Sequence, residues 1–182
     1  MNVFLGSCVH ESKEYAMARW CRSIYRLPYI GEIVAVDTSP TTDFYERWRK
    51  EVPTVYLGLD AKEPKNRRIA LGMEFLRQSF LRRNFQWWLN VECDMVIGPE
   101  VVEMMLAKAD HYDFVSVPYP SRTENKVLET SFGCCLFGRE YMKGEDFSKY
   151  PAEDTPDASF QNHFRGSQRC LRSALRLEHL GS

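Results

Sequence analysis

A chain of 182 residues, 44% hydrophobic and 27% charged, is long enough to bury a real core in one globular unit and cramped for two. Its formal net charge of −1 supplies no field for nucleic acid, so no nucleic-acid partner is expected. No apolar run approaches the roughly 20 residues that span a bilayer, and no basic-then-apolar signal opens the chain, so a cytoplasmic protein without a transmembrane segment is expected.

Residues 2–9 (NVFLGSCV) read as a buried strand, followed at 14–25 by apolar positions at helical spacing, with Ser12 placed as an N-cap. Residues 31–37 (GEIVAVD) form a second apolar run stopped by Asp-Thr-Ser-Pro, a turn signature. A short third strand at 55–59 precedes a long amphipathic helix reaching Arg82, with Ile69, Met73, Leu76 and Phe80 on its apolar face. Residues 86–91 (QWWLNV) are too apolar for an edge strand and belong near the sheet centre. A helix begins at Pro99, a strand covers 113–117 and another 132–137, and an acidic loop runs from 145 to 157. The cysteines at 8, 21, 93, 134, 135 and 170 have neither CxxC pairing nor regular spacing, so they indicate no zinc site and no disulfide framework. Alternating strands and helices predict an α/β domain with a central, mainly parallel sheet flanked by helices. In such sheets ligands occupy the crevice beyond the carboxyl ends of the strands.

Acids stand at two of those strand ends: Asp37 after the second strand, and Glu92 with Asp94 after QWWLNV. Carboxylates two apart share a face while the chain is extended and can still converge on a cation as it turns. Hard oxygen donors suit Mg²⁺ or Mn²⁺, which complete their shells with water and substrate phosphate. The competing reading is an Asx turn at Asp94 with Glu92 merely solvated. The buried WWLN run, which leaves the acids at the strand mouth, favours the first; Trp87 and Trp88 themselves are read as core.

IVAVDTS at 33–39, LNVECDMVIGPEVVEMML at 89–106, SFGCCLFGREYM at 131–142, AEDTPDASFQNHFRG at 152–166 and EHLG at 178–181 follow one another in the order of motifs in the GT-A glycosyltransferases. The chain resembles in particular the inverting family 2 group. The resemblance implies one GT-A-like (Rossmann-like) domain over 1–182, with a nucleotide-sugar-binding half at 1–117 and an acceptor-side half at 118–182. It implies that Asp37 contacts the nucleoside, that Ser7, Cys8 and Val9 line the base pocket, and that Arg67 or Arg68 lies near the nucleotide. Glu92 and Asp94 would take the D-x-D metal positions, with Glu92 departing from the usual first Asp, and His179 would return from the C-terminal segment to complete the Mn²⁺ or Mg²⁺ site. His10, His111 and His163 carry no supporting pattern.

An inverting transfer is a single displacement in which a carboxylate accepts the acceptor hydroxyl's proton. Glu153, Asp154 and Asp157 compete for that role, with Asp154 preferred; helix N-capping is the plainer use of Asp157. The expected activity is transfer of a sugar from a nucleotide-diphosphate-sugar donor to a hydroxyl of a glycan, lipid or protein acceptor. Two other functions compete: a non-catalytic nucleotide- or glycan-binding module on the same fold, and a nucleotidyltransferase. The latter calls for a Gly-rich phosphate loop, whereas FLGSCVHES holds one glycine.

Overall fold

Strict alternation of large side chains on both faces makes the first run a central strand: in β1 (Val3–Val9), Val3, Leu5 and Val9 enter one apolar cluster while Phe4 enters the other. The computed structural model describes residues 2–120, 127–128, 132–164, 168–170 and 178–179; the polar stretch 122–126, Gly166, Leu180 and Gly181 lie outside the described residues. After β1 come a 3₁₀ turn (Glu11–Lys13), α1 (Glu14–Ile24), β2 (Ile30–Asp37), α2 (Asp43–Trp48), β3 (Thr54–Tyr56) and α3 (Lys65–Leu81). The chain continues through β4 (Trp87–Val91), β5 (Met95–Val96), α4 (Pro99–Ala109), β6 (Phe114–Ser116), β7 (Tyr119–Pro120) and β8 (Val127–Leu128). It then forms β9 (Cys134–Gly138), α5 (Arg139–Met142), a 3₁₀ turn (Phe147–Lys149), α6 (Pro156–His163), β10 (Gln168–Cys170) and β11 (Glu178–His179).

The main sheet has seven strands in the order β10-β6-β9-β4-β1-β2-β3. All pair in parallel except β9, which runs antiparallel to both β4 and β6. QWWLNV lies mid-sheet, as its apolarity predicts: Trp87, Leu89 and Val91 face one cluster, Trp88 the other. Buried residues of α1, α2 and α4 pack on the first face, and those of α3, α5 and α6 on the second. Among the described residues no helix is long and apolar enough to cross a membrane.

Three features set the position of the site. Gly72 lets α3 press against β1, because a Cβ there would lie 2.6 Å from Cys8 Sγ and 3.0 Å from Thr38 Cγ2. The amino end of α3 is thereby held beside the end of β1. Arg139 closes the other end of α3, donating from its guanidinium to the carbonyls of Phe80, Leu81, Arg83 and Phe85 at 2.6 to 3.2 Å. The buried Glu74 accepts from Arg77 at 2.8 Å, from Gln78 at 2.9 Å and from the Phe147 amide at 3.1 Å, tying the second 3₁₀ turn to α3. Around that tie Phe114, Phe132, Phe137, Phe147 and Phe160 interlock with Trp88, with centroids 4.8 Å apart for Trp88–Phe137 and 5.1 Å for Phe114–Phe160. This aromatic layer seats α6.

Two departures from the sequence-based expectation have a clear physical reason, while the third strand is shorter than predicted, covering Thr54–Tyr56. The hexamer α2 follows the Asp-Thr-Ser-Pro turn where only a turn is predicted; it buries Phe44 alone and has no capping side chain, leaving little periodic signal. The strand predicted at 132–137 begins at Cys134, because Gly133 instead turns its carbonyl to the Glu92 amide at 2.8 Å.

Candidate functional site

The ladder register aligns the carboxyl ends of the parallel strands: Val9 lies opposite Asp37, Asp37 opposite Tyr56, and Cys134, the start of the reversed β9, opposite Val91. The residues following these ends build one crevice.

Glu92 follows β4 directly. The Met95 amide donates to the Glu92 carbonyl at 2.8 Å, so residues 92–95 form a tight turn that carries Cys93 and Asp94 at its corners. The chain is thus already turning between the two acids, yet their charges remain coupled. Burial first, then the charges of Asp94 and Asp157, push the Glu92 carboxyl up to about 7, against the opposing pull of Lys13 and Lys65. Asp94 is buried, and the Lys13 ammonium donates to its Oδ2 from the 3₁₀ turn after β1. Across the turn, β11 pairs antiparallel with β5, setting His179 opposite Met95, one residue beyond Asp94.

Asp37 is fully buried at the end of β2. Its Oδ1 accepts the Ser39 amide at 2.8 Å, its Oδ2 has no partner, and burial raises its pKa against those hydrogen bonds. Beside it, the Glu11 amide donates to Ser39 Oγ at 2.9 Å, joining the ends of β1 and β2. His10 Nδ1 accepts the Ser12 amide at 3.1 Å, which assigns the neutral ring's proton to Nε2, itself buried without a partner. Burial and then the nearby Arg68 lower the His10 pKa, with Lys65 adding to the effect, so this ring is neutral and aimed among cations. Arg68 Nε is a third buried polar atom without a partner. Orphaned buried polar atoms are uncommon in folded proteins; these three flank the ends of β1 and β2 and the start of α3, while Trp48 Nε1, the Tyr150 hydroxyl and Ser159 Oγ are further ones elsewhere among the described residues.

The other predicted residues divide. Ser7 donates its hydroxyl to the Val91 carbonyl at 2.8 Å, Cys8 packs against Gly72, and the Val9 carbonyl accepts from the Thr38 amide and hydroxyl at 3.0 and 3.2 Å. These contacts brace β1 against its neighbours. Arg67 donates to the Ser148 carbonyl, joining α3 to the second 3₁₀ turn. Glu153 and Asp154 are exposed, whereas Asp157, in the first turn of α6, is the acid of the three whose charge reaches Glu92. Sequence reasoning passed over His10, Lys13 and Lys65. The signal that was available for them is position, just beyond β1 and at the start of α3, rather than any motif.

Among the described residues no group of three or more His, Cys, Asp or Glu side chains gathers as a ready metal cage. The donor set still fits a divalent cation. Two carboxylates share a tight turn, the Glu92 carboxyl raised by burial first and then by the charge of Asp94, and the backbone of His179 runs beside them.

No family model matches the chain, and no curated protein matches its sequence. Solved structures do match the fold. S. aureus TarS superposes with a TM-score of 0.66 at 14% identity over 100% of this chain, which spans 37% of that one. Its 1–349 form in complex with UDP gives 0.66 at 13% identity, with 61% of that chain covered. A197 from STIV gives 0.63 at 12% identity, covering 100% of this chain and 87% of that one. The CMP:2-keto-3-deoxy-manno-octonic acid synthetase complexed with CTP gives 0.57 at 10% identity, covering 92% and 89%. At such identities the likeness establishes the architecture, a GT-A-like fold, and the assignment of activity rests on the site.

Proposed function

We propose that this GT-A-like chain is a glycosyltransferase that takes a nucleotide-diphosphate-sugar donor in the crevice between β1, β2 and β4 and passes the sugar, with inversion, to an acceptor hydroxyl. The observation that carries the reading is the charge-loaded Glu92–Asp94 turn at the mouth of the central strand, faced by Lys13 and Lys65.

Asp37 Oδ2 is the buried acceptor offered to the nucleoside, where a ribose hydroxyl or a base N–H supplies the missing donor. His10 Nε2–H, Arg68 and Lys65 offer donors and positive charge to the diphosphate. Glu92, Asp94 and His179 would hold Mn²⁺ or Mg²⁺, which supplies Lewis-acid neutralisation of the departing diphosphate. Asp157 is the base: it takes the proton of the acceptor hydroxyl as that oxygen bonds the anomeric carbon and the bond from that carbon to the diphosphate oxygen breaks. Its influence on Glu92 is what favours it over Glu153 and Asp154. Residues 118–182 then belong to the acceptor side.

Calorimetric titration of UDP and GDP, with and without Mn²⁺, into the wild type and Asp94→Ala tests this reading. Metal-dependent nucleotide binding that Asp94→Ala abolishes, followed by release of free sugar from a nucleotide-sugar donor, is the expected result. A folded protein that binds neither nucleotide under any metal condition refutes it. The likeness to a synthetase holding CTP makes nucleotidyl transfer the second reading, and pyrophosphate release from CTP without sugar transfer distinguishes it.

A further inference from the structure

Lys13 pairs with Asp94, a buried acid of the candidate site, and its place is unusual. Its side chain is 31% exposed and Asp94's 2%, so the carboxylate is fixed within the turn and the ammonium reaches it from the solvent side. An isolated carboxylate that deep is costly, and the Lys13 ammonium balances it. A lysine stem has four rotatable bonds and sheds a partner without moving backbone. Released from Asp94, the ammonium lies at the crevice between the 3₁₀ turn and the start of α3, the side where Lys65, Arg68 and His10 gather.

We propose that Lys13 is an exchangeable counter-ion: it pairs with Asp94 in the metal-free protein and moves to the donor's diphosphate when a divalent cation takes that carboxylate. This rests on the metal reading given above and adds to it a coupling. A metal ion alone must displace Lys13 and leave the ammonium beside a dication, so it binds poorly. With the diphosphate present the displaced ammonium gains a new partner, and each ligand strengthens the other by the same factor.

Free Mn²⁺ is followed by its solution electron paramagnetic resonance signal during titration of the wild type, Lys13→Met, Lys13→Arg and Asp94→Asn, each without and with UDP. Circular dichroism checks that each is folded. Lys13→Met is expected to bind Mn²⁺ alone about tenfold more tightly than the wild type, the scale of a half-buried ion pair, and UDP then improves Mn²⁺ binding by a correspondingly smaller factor. Lys13→Arg, whose forked guanidinium holds a carboxylate more firmly, is expected to weaken binding of Mn²⁺ alone. This second variant keeps the test decisive if Lys13→Met does not fold. Wild-type affinity and wild-type coupling in the variants, with Mn²⁺ binding lost in Asp94→Asn, overturn the exchange and leave the metal site standing. UDP binding that persists in EDTA and is lost in Lys13→Met also overturns it, making Lys13 a permanent substitute for the metal. Absence of Mn²⁺ binding in every protein, with and without UDP, removes the metal reading and the exchange together.

Discussion

Replacing Glu92 by Gln is expected to stabilise the metal-free protein, and only above a definite pH. The Glu92 carboxyl is pushed from an ordinary 4.5 to about 7 by burial, then by Asp94 and Asp157. Below about 4.5 the folded and unfolded chains both hold the proton, so the stabilisation from tight proton binding is complete. As pH rises through 4.5 the unfolded chain loses its proton first, and stability falls until the folded carboxyl ionises near 7. Each tenfold in proton affinity is worth about 1.4 kcal/mol, so the interval from 4.5 to about 7 corresponds to roughly 3 kcal/mol. Glu92 as a residue is only partly buried, which lowers the expected effect to about 2 kcal/mol. Glutamine imitates the protonated form at every pH. Urea unfolding of wild type and Glu92→Gln in EDTA, from pH 4 to pH 8.5, should therefore give matching stabilities at the acid end and a difference growing to about 2 kcal/mol above pH 7. Equal stabilities at pH 8, or the same difference at pH 4 and pH 8, would show that burial and the neighbouring acids do not raise the Glu92 carboxyl in the folded protein.

Asp157→Asn should leave UDP affinity within about twofold while lowering transfer by about 100-fold or more, because only the proton acceptor is lost; equal loss in Asp154→Asn, measured in the same coupled assay, would move the base to the exposed loop. Glu74→Ala strands the Arg77 guanidinium and the Phe147 amide, and should cost about 3 kcal/mol in urea unfolding. Arg139→Lys keeps the charge but cannot reach four carbonyls at once, so a loss of about 1 to 2 kcal/mol is expected, with thermal unfolding as the readout.

Most elements were legible because burial on both faces leaves continuous apolar runs. IVAVD and WWLNV could hardly be anything but interior strands, and the helices at 14–24 and 65–81 carry wide apolar stripes. What the sequence withheld is whatever depends on contacts between distant segments. The reversal of β9 has no local mark, since an antiparallel interior strand reads like a parallel one. The acids Asp37, Glu92 and Asp94 were legible as strand-end groups, and the structure brings their strand ends to one edge. The pairing of Lys13 with Asp94 spans 81 positions, and the isolated Nε2 of His10 depends on how α3 lies over β1, so neither leaves a trace in spacing. Arg67 and Arg68 are adjacent and chemically alike, yet one anchors to the Ser148 carbonyl while the charge of the other acts on His10, a division that helix phase and packing decide together.

Because β9 runs backwards between two forward strands, the chain leaves β6 and enters β9 at the same border of the sheet, the border that holds Glu92. The connection between them is therefore attached at neighbouring points: Ser116 stands opposite Cys135, the Val117 amide donates to the Cys134 carbonyl at 3.0 Å, and Phe132 and Gly133 stay tied to the aromatic layer and to the Glu92 amide. A lineage or an engineer can lengthen the chain inside those anchors at little entropic cost while the turn of acids, the lysines and the strand beneath them stay as they are.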